Sequence, residues 1–407
     1  MSKNAGINNA EITSGQCAKL YILFALGSSA LILPTVVIEI AKQDAWLTML
    51  LAGPINYLVL MIYLALADRF PNLSLVQYME KLIGKWAAKA LMLTYVLFFL
   101  VNSALVLRNI SDFLGLSVLP ITPTWFIDAI FMLVVIYGVC LGIETMARTG
   151  EILYFWSTFV IFIILIALLY QLDYKNFEPL LYNGILRPIK GLYPILGFPI
   201  GEFVFITMIF PLVRKTDRKK LRKSLKLATV MITAYSVLLT LFLIGVMGVD
   251  ESSRSPFAVY DLAKNINIEE ILVRVEILVA MIWIGTIFMK LVLCVYVLSV
   301  STAQLLGLSN YRPLVVPFGF VVLPLSLIIY RNIAHARVFS AGVWTVYSVF
   351  QGYVLPLLLL IIAVIMKKRD NSEGNSFENR YQANESIGDN KSGDETDSIA
   401  TKEPAPT

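Results

Sequence analysis

The sequence predicts an all-α polytopic membrane protein with about ten transmembrane helices, in which helices 1 and 6 are broken and two five-helix halves form an inverted repeat. Three observations lead to this prediction. Hydrophobic residues make up 58% of the 407-residue chain and charged residues only 15%, which is too apolar for a soluble globular protein. The apolar residues form segments long enough to cross a membrane as helices. Two of these segments, five apart, contain helix-breaking residues.

Ten apolar segments lie between a polar N-terminal segment and a polar C-terminal tail, which gives the chain three regions. They lie near residues 18–40, 44–67, 87–107, 124–141, 152–170, 192–213, 227–248, 275–301, 314–330 and 339–366. We therefore predict one transmembrane domain at 17–366, preceded by a cytoplasmic segment at 1–16. The remaining residues, 367–407, are rich in Ser, Asn, Asp and Glu. Such a segment buries too little apolar surface to offset the entropy of ordering, so we predict a disordered cytoplasmic tail.

Basic residues in the loops predict the orientation. The strongest basic block is 214–226, and the run 367–369 falls on the same side when ten spans are assumed. Because short cytoplasmic loops carry an excess of Lys and Arg, both termini are predicted to be cytoplasmic. Topology thus accounts for the formal charge of +5, which is no indication of nucleic-acid binding.

The first span is interrupted near its middle by Gly27, Ser28, Ser29 and Ala30. Non-helical backbone at membrane depth persists only where protein buries it or a wet cavity accepts its hydrogen bonds. The segment alone leaves two interpretations open. It is either a broken helix at a ligand cavity or a stripe of small residues against which a neighbouring helix packs.

The sixth span carries the strongest helix-breaking signal, Gly197, Phe198, Pro199, Ile200 and Gly201. Proline removes a backbone donor and clashes with the preceding turn, and glycine tolerates unusual dihedral angles. Spans 1 and 6 are corresponding members of two halves with five spans each, and since five is odd the halves insert in opposite orientations. Paired interruptions of this kind indicate a transporter-like core with its binding site near the membrane midplane.

The ends of broken helices indicate which ligand the site takes. A helix N-terminus exposes N–H groups and a partial positive charge, which suit a carboxylate. A C-terminus exposes carbonyl groups, which suit an ammonium group or a small cation. A zwitterionic amino acid matches both ends, so we predict a small amino-acid ligand.

Two charged residues lie within the predicted spans. Lys290 lies about halfway along span eight, where an unpaired ammonium is costly. It is either functional or a cation that reaches the cytoplasmic surface along the helix. Glu202 directly follows the break in span six and either caps the following half-helix or serves as a ligand or proton site. A pairing of Glu202 with Lys290 is a hypothesis that the sequence leaves undecided.

Other polar side chains are candidates for the walls of a cavity. Asn102 lies at mid-depth in span three, and Thr286 lies four residues before Lys290, on nearly the same helix face. With Trp283, Thr286 offers a polar and aromatic wall, although ordinary helix packing explains both residues equally well. No catalytic grouping is present, and the three cysteines are widely separated. We therefore predict no enzymatic activity, cofactor or metal site.

Several segments resemble a known family. The stretches SPFAVYDLAKNINIEEILVRVE at 255–276, YNGILRPIKGL at 182–192 and LSLVQYMEKLIGK at 73–85, together with the two broken spans, are similar to the B subunit of bacterial spore germinant receptors. That family belongs to the amino acid–polyamine–organocation transporter superfamily, and the resemblance covers roughly residues 12–366. It implies a LeuT-type fold and a subunit of the spore inner membrane. Such a subunit recognises a nutrient germinant, typically an L-amino acid, and acts with A and C subunits.

The resemblance also implies particular site residues. By position, 27–30 and 198–201 would be the unwound binding segments, completed by Val101, Asn102 and Thr286. Cationic members of the superfamily are coupled to protons by a lysine in span five. This sequence has neither Lys nor Arg between Glu151 and Tyr170. We therefore favour a ligand-sensing receptor over a secondary amino-acid transporter, which the fold itself does not exclude.

Overall fold

The computed structural model describes residues 10–182, 184–265 and 275–369. Within these ranges the chain is helical, and the single β contact is a parallel bridge between Ile12 and Val213. The predicted all-α class is therefore confirmed. The predicted disordered tail lies outside the described residues from position 370 onwards, as does the start of the N-terminal segment at 1–9.

The first half of the chain supplies five spans and one surface helix. Its helices are α1 (Ser14–Ala41), α2 (Ala45–Arg69), α3 (Leu75–Ile83), α4 (Lys85–Phe113), α5 (Thr124–Leu141) and α6 (Ile143–Leu168). The short helix α3 begins with a capping box, in which Ser74 and Gln77 each satisfy the other's backbone N–H. It is amphipathic, with Leu75 and Met79 buried and Lys81 exposed, which is the pattern of a helix at the membrane surface.

The second half is more interrupted. Its helices are α7 (Leu186–Gly197), α8 (Arg218–Phe242), α9 (Gly248–Arg254), α10 (Ala258–Lys264), α11 (Val275–Leu306), α12 (Arg312–Ile328), α13 (Ile333–Phe339), α14 (Thr345–Val349) and α15 (Leu355–Ile365). The turns Ser340–Trp344 and Phe350–Val354 are π-helical. They join α13, α14 and α15 into a single span, the tenth in chain order. Helix α7 continues after a break into the 3₁₀ helix Ile200–Met208, and the two pieces form the sixth span.

Eight segments among the described residues are long and apolar enough to cross a membrane, judged by length and composition. One of them, Ser29–Arg69, contains the reversal at Lys42–Asp44 and so combines α1 with α2. The helix Arg312–Ile328 is apolar but shorter, at 17 residues. When Ser29–Arg69 is counted as two spans and Arg312–Ile328 as one more, the described residues form ten spans, as predicted.

Helix α1 lies in the middle of this bundle. It begins with a capping box, because Thr13 Oγ1 accepts from Gln16 N and the Gln16 side chain accepts from Thr13 N. The helix packs against α2, α6, α7, α8 and α11. Its side chains are apolar around the whole circumference, which is the pattern of a helix enclosed by other helices.

The interruption of α1 is narrower than predicted. Only Gly27 has non-helical dihedral angles (φ −47°, ψ −111°), and the helix continues on both sides of this kink. The prediction that all of 27–30 unwinds is therefore wrong. The Ser29 hydroxyl bonds to the Ala25 carbonyl, a short-range bond that satisfies a backbone acceptor next to the kink without further unwinding.

The break in the sixth span is located as predicted. Helix α7 ends at Gly197, and Phe198 is extended (φ −140°, ψ 112°). The segment after the break is a 3₁₀ helix, however, and not the α-helical half expected from the sequence. The tenth span packs closely here: a Cβ on Gly197 would lie 2.4 Å from Thr345 Cα, and a Cβ on Gly352 would lie 2.1 Å from Gly201 O. Small residues are needed at this contact because the two backbones touch.

Candidate functional site

A buried ion pair joins the two interrupted regions. Lys290 Nζ donates to Glu202 Oε2 at 2.7 Å, and the two side chains are 0% and 1% exposed. Trp344 Nε1 donates to the other carboxylate oxygen of Glu202 at 3.2 Å. Burial of two charges is tolerated when they are paired and further hydrogen-bonded. The pairing that the sequence left undecided is therefore present, and the alternative in which Lys290 reaches the cytoplasmic surface is wrong.

Lys290 contacts both interruptions. Its ammonium lies 4.8 Å from the centre of the Phe24 ring and 4.6 Å from that of Phe198, distances at which aromatic faces attract a cation. A Cβ on Gly27 would lie 3.1 Å from the Lys290 side chain and 3.3 Å from Thr286 O. The absence of a side chain at Gly27 thus leaves room for the Lys290 side chain of α11 to pass α1 and reach the break in the sixth span.

The larger of the two cavities beside this break has a volume of about 110 Å³. It is lined by residues of α1, α2, α6, α8, α10 and α11 and by both pieces of the sixth span. Since roughly 10–15 Å³ holds one water molecule, this cavity has room for a small organic molecule. None of the described residues that line it is charged. Six predicted site residues line it: Ser29, Ala30, Pro199, Ile200, Trp283 and Thr286.

The smaller cavity, of about 50 Å³, lies on the other side of the break between α1, α4, α13 and the loop before α10. Three predicted site residues line it, namely Asn102, Phe198 and Glu202, and Trp344 lies beside them. Leu33 borders both cavities. The two spaces are therefore neighbours, separated by Leu33 and the chain at Phe198 and Pro199.

Polar contacts connect the helices at the outer end of the smaller cavity. Arg337 Nη2 donates to Ser255 O at 3.1 Å, and Arg337 Nη1 lies 3.7 Å from Glu39 Oε2. On the facing helix, Arg108 Nε donates to Asp112 Oδ1 at 2.8 Å. The Tyr330 hydroxyl donates to Asp112 Oδ2 at 2.9 Å. Arg337 thus links α13 to α1 and to the loop before α10, and Tyr330 links the loop between α12 and α13 to α4.

The remaining predicted residues lie elsewhere. Val101 and Gly201 line neither cavity, and Gly201 packs against Ser348 and Gly352. Lys290 and Gly27 line neither cavity and lie close to each other, and the side chain of Ser28 is not among those described. For Gly201 the close-packing interpretation therefore accounts for the glycine.

Sequence reasoning missed two residues at the ion pair, Trp344 and Phe24. One signal was available for Trp344, because a tryptophan within an apolar segment needs a hydrogen-bond partner for its indole N–H when it is buried. Phe24 is one of many phenylalanines in apolar spans. Nothing in its sequence context marks it as a neighbour of Lys290.

The helices and their interruptions define the class of the protein. Ten passes, with a kink in the first span, a break in the sixth and cavities beside the break, are the architecture of LeuT-type membrane proteins built from inverted repeats.

Solved structures of this class are similar along most of the chain. MhsT in complex with L-phenylalanine has a TM-score of 0.60 at 14% identity, covering 87% of this chain and 99% of that chain. A Na⁺-coupled sialic acid symporter has a TM-score of 0.59 at 11% identity, covering 86% of this chain and 80% of that chain. At these identities the likeness shows the fold alone.

Sequence comparisons give the family. The model of the spore germination protein family matches residues 11–335. Spore germination protein KB of Bacillus subtilis (strain 168) is 32% identical over 374 residues, covering 90% of this chain and 99% of that protein. Spore germination protein YndE of the same organism is 24% identical over 373 residues, covering 88% and 98%. The chain belongs to the spore germination protein family, and the predicted resemblance is confirmed at that level.

Proposed function

We propose that this chain is the membrane subunit of a nutrient germinant receptor, which binds a small germinant, an L-amino acid, at mid-membrane and signals germination through partner subunits. The observation that carries the proposal is the buried pair of Lys290 and Glu202. The pair lies where the two interrupted spans meet, with a cavity on each side of the break. Membership of the spore germination family supplies the biological setting.

An amino acid can act on this pair because it carries the same two charges. Its ammonium group competes with Lys290 for Glu202, and its carboxylate competes with Glu202 for donors near the break. A ligand shifts a conformational equilibrium only by its differential affinity for the two states. Exchange of partners at Glu202, which also accepts from Trp344 of the tenth span, supplies such a difference.

The setting of the proposal is the inner membrane of the spore, with both termini cytoplasmic and with A and C subunits as partners. The N-terminal end of α1 lies beside the basic loop that follows the sixth span: Ile12 N donates to Leu212 O at 2.9 Å, and Arg214 N donates to Ile12 O at 3.0 Å. Since basic loops favour the cytoplasmic side, this contact supports a cytoplasmic N-terminus.

A secondary amino-acid transporter, the alternative that the sequence left open, is the second candidate. The absence of a lysine from span five was the sequence argument against transport, and a basic residue elsewhere in the core weakens that argument. Lys290 of span eight brings a buried ammonium to the kink at Gly27, so the core of the bundle does contain a basic residue.

Binding and uptake measured on one preparation separate these functions. The full chain is purified and reconstituted in proteoliposomes, and thermal shifts with the common L-amino acids are measured beside uptake of the labelled compounds. We expect a ligand-dependent rise in thermal stability, because a ligand bound by the folded state alone stabilises it, without gradient-driven uptake. Saturable, gradient-driven uptake by the lone chain would show a carrier instead. A preparation that is folded and binds none of the amino acids would contradict both functions.

A further inference from the structure

Asn102 has an unusual environment at the smaller cavity. Its side chain is fully buried in α4, and neither its amide oxygen nor its amide nitrogen has a hydrogen-bond partner. The amide lies near the Glu202 carboxylate without the geometry of a hydrogen bond. A buried amide without partners is unfavourable, and such groups in folded proteins call for an explanation. The cavity that Asn102 lines offers one, namely a ligand that supplies the missing partner.

The spare hydrogen-bonding capacity at this end of the cavity consists mainly of acceptors. A carboxylate offers about four lone-pair sites, of which Lys290 and Trp344 occupy one each at Glu202. The Asn102 amide oxygen adds two more and its amide nitrogen adds two donors, so the free acceptor sites outnumber the free donors by four to two. A primary ammonium group has three N–H donors and no acceptor, so it fits this arrangement better than a carboxylate does.

The charges around the smaller cavity balance each other. Glu202 is paired with Lys290, and Asp112 is paired with Arg108. At the outer end, Arg337 lies 3.7 Å from a carboxylate oxygen of Glu39. A ligand with a net charge would add an unbalanced charge to a buried space, which is costly. A small zwitterion adds none.

We propose that Asn102 and Glu202 form the subsite for the ammonium group of a small zwitterionic ligand, with Trp344 holding the Glu202 carboxylate in place. The proposal rests on the proposed function and assigns the ligand's amino group to the smaller cavity. The larger cavity, whose described lining residues carry no charge, offers no comparable partner for an ammonium group.

The matched pair of variants is Asn102→Leu and Asn176→Leu. The amide nitrogen of Asn176 donates to Gly245 O at 3.0 Å, and Asn176 lines neither cavity. Thermal unfolding of the full chain is measured alone and with the common L-amino acids, with the corresponding 2-hydroxy acids, such as lactate beside alanine, and with sorbitol.

We expect N102L to keep or exceed the wild-type melting temperature without ligand, because leucine removes an unpaired buried amide. Its affinity for the amino acid should fall about tenfold or more, the usual effect of losing a hydrogen bond to a charged group. N176L should melt at a lower temperature, because it loses this hydrogen bond, and retain the affinity. Wild-type protein should respond to the amino acid and not to its hydroxy-acid analogue.

Three results would overturn the subsite while leaving the proposed function intact. They are an unchanged ligand affinity in N102L, a lower melting temperature of ligand-free N102L, which would give the amide a structural role, and an equal response of wild type to the amino acid and its hydroxy-acid analogue. The last comparison needs no variant, so it stands even if N102L does not fold. A wild-type protein that responds to none of the compounds, or responds to sorbitol as strongly as to the amino acids, would instead contradict the proposed function, and the subsite with it.

Discussion

Lys290 of α11 and Glu202 of the sixth span form a 2.7 Å ion pair in which both side chains are buried. The pair fastens the break in the sixth span to the helix that crosses the kink of α1. Trp344 adds a hydrogen bond from the tenth span. Three spans therefore converge on one carboxylate.

The first prediction concerns the stability that this pair confers. Glu202→Gln and Lys290→Met should each lower the free energy of unfolding by about 3–5 kcal/mol, because each leaves an uncompensated buried charge. The double variant E202Q/K290M should be less destabilised than the sum of the single variants. Unfolding in detergent, arranged as a double-mutant cycle, measures the coupling.

The control for this cycle is the exposed pair of Arg222 with Asp68, whose side chains are 54% and 59% exposed at an N–O distance of 3.2 Å. Arg222→Met should change stability by about 0–1 kcal/mol. Equal and small effects of K290M and R222M would mean that the ammonium of Lys290 is solvated in the protein.

The second prediction concerns the kink in α1. Gly27→Ala places a methyl group 3.1 Å from the Lys290 side chain and 3.3 Å from the Thr286 carbonyl oxygen. We expect a loss of about 1–3 kcal/mol of stability and a weaker thermal shift with the amino-acid ligand. Gly115→Ala is the matched control, since a Cβ there meets nothing within 4 Å. Equal behaviour of the two variants would argue against a close approach of α11 at the kink.

The third prediction concerns the close contact between the sixth and tenth spans. A Cβ on Gly352 would lie 2.1 Å from Gly201 O, a backbone atom that has no room to move aside. Gly352→Ala should therefore cost about 3 kcal/mol or more and reduce the yield of monodisperse protein. Gly342→Ala, at a position of the same span where a Cβ meets no atom within 4 Å, should be recovered normally. Full recovery of G352A would contradict the direct contact of the sixth and tenth spans.

The fourth prediction tests the orientation. A cysteine at Lys219, in the basic loop, should be protected from a membrane-impermeant maleimide added outside intact cells, because basic loops stay in the cytoplasm. A cysteine at Tyr174, whose side chain is 79% exposed at the opposite end of the bundle, should be labelled. Cys17 and Cys294 are buried, and the remaining native cysteine, Cys140, is replaced by serine to remove background. The reverse labelling pattern would place both termini outside.

Much of the fold was predictable because its signals are local. A span is recognised from the length of an apolar segment, and Pro199 between two glycines marks a break whatever surrounds it. The kink at Gly27 was predicted in the right place but too broadly. Residues 28–30 are helical in the structure, and the Ser29 hydroxyl bonds to the carbonyl of Ala25 within the helix, a contact that the sequence does not reveal.

The amino-acid sequence by itself determined the class of the protein, the number of its spans and the position of their interruptions, since each depends on the composition of a short segment. Tertiary structure alone decided which side chains meet. Glu202 and Lys290 are 88 residues apart, and their contact depends on how α11 crosses α1. The same packing left the amide of Asn102 without a partner and turned Gly201 towards Gly352. Such contacts depend on the relative rotation of packed helices, which the hydrophobicity of a span does not determine because these helices are apolar on every side.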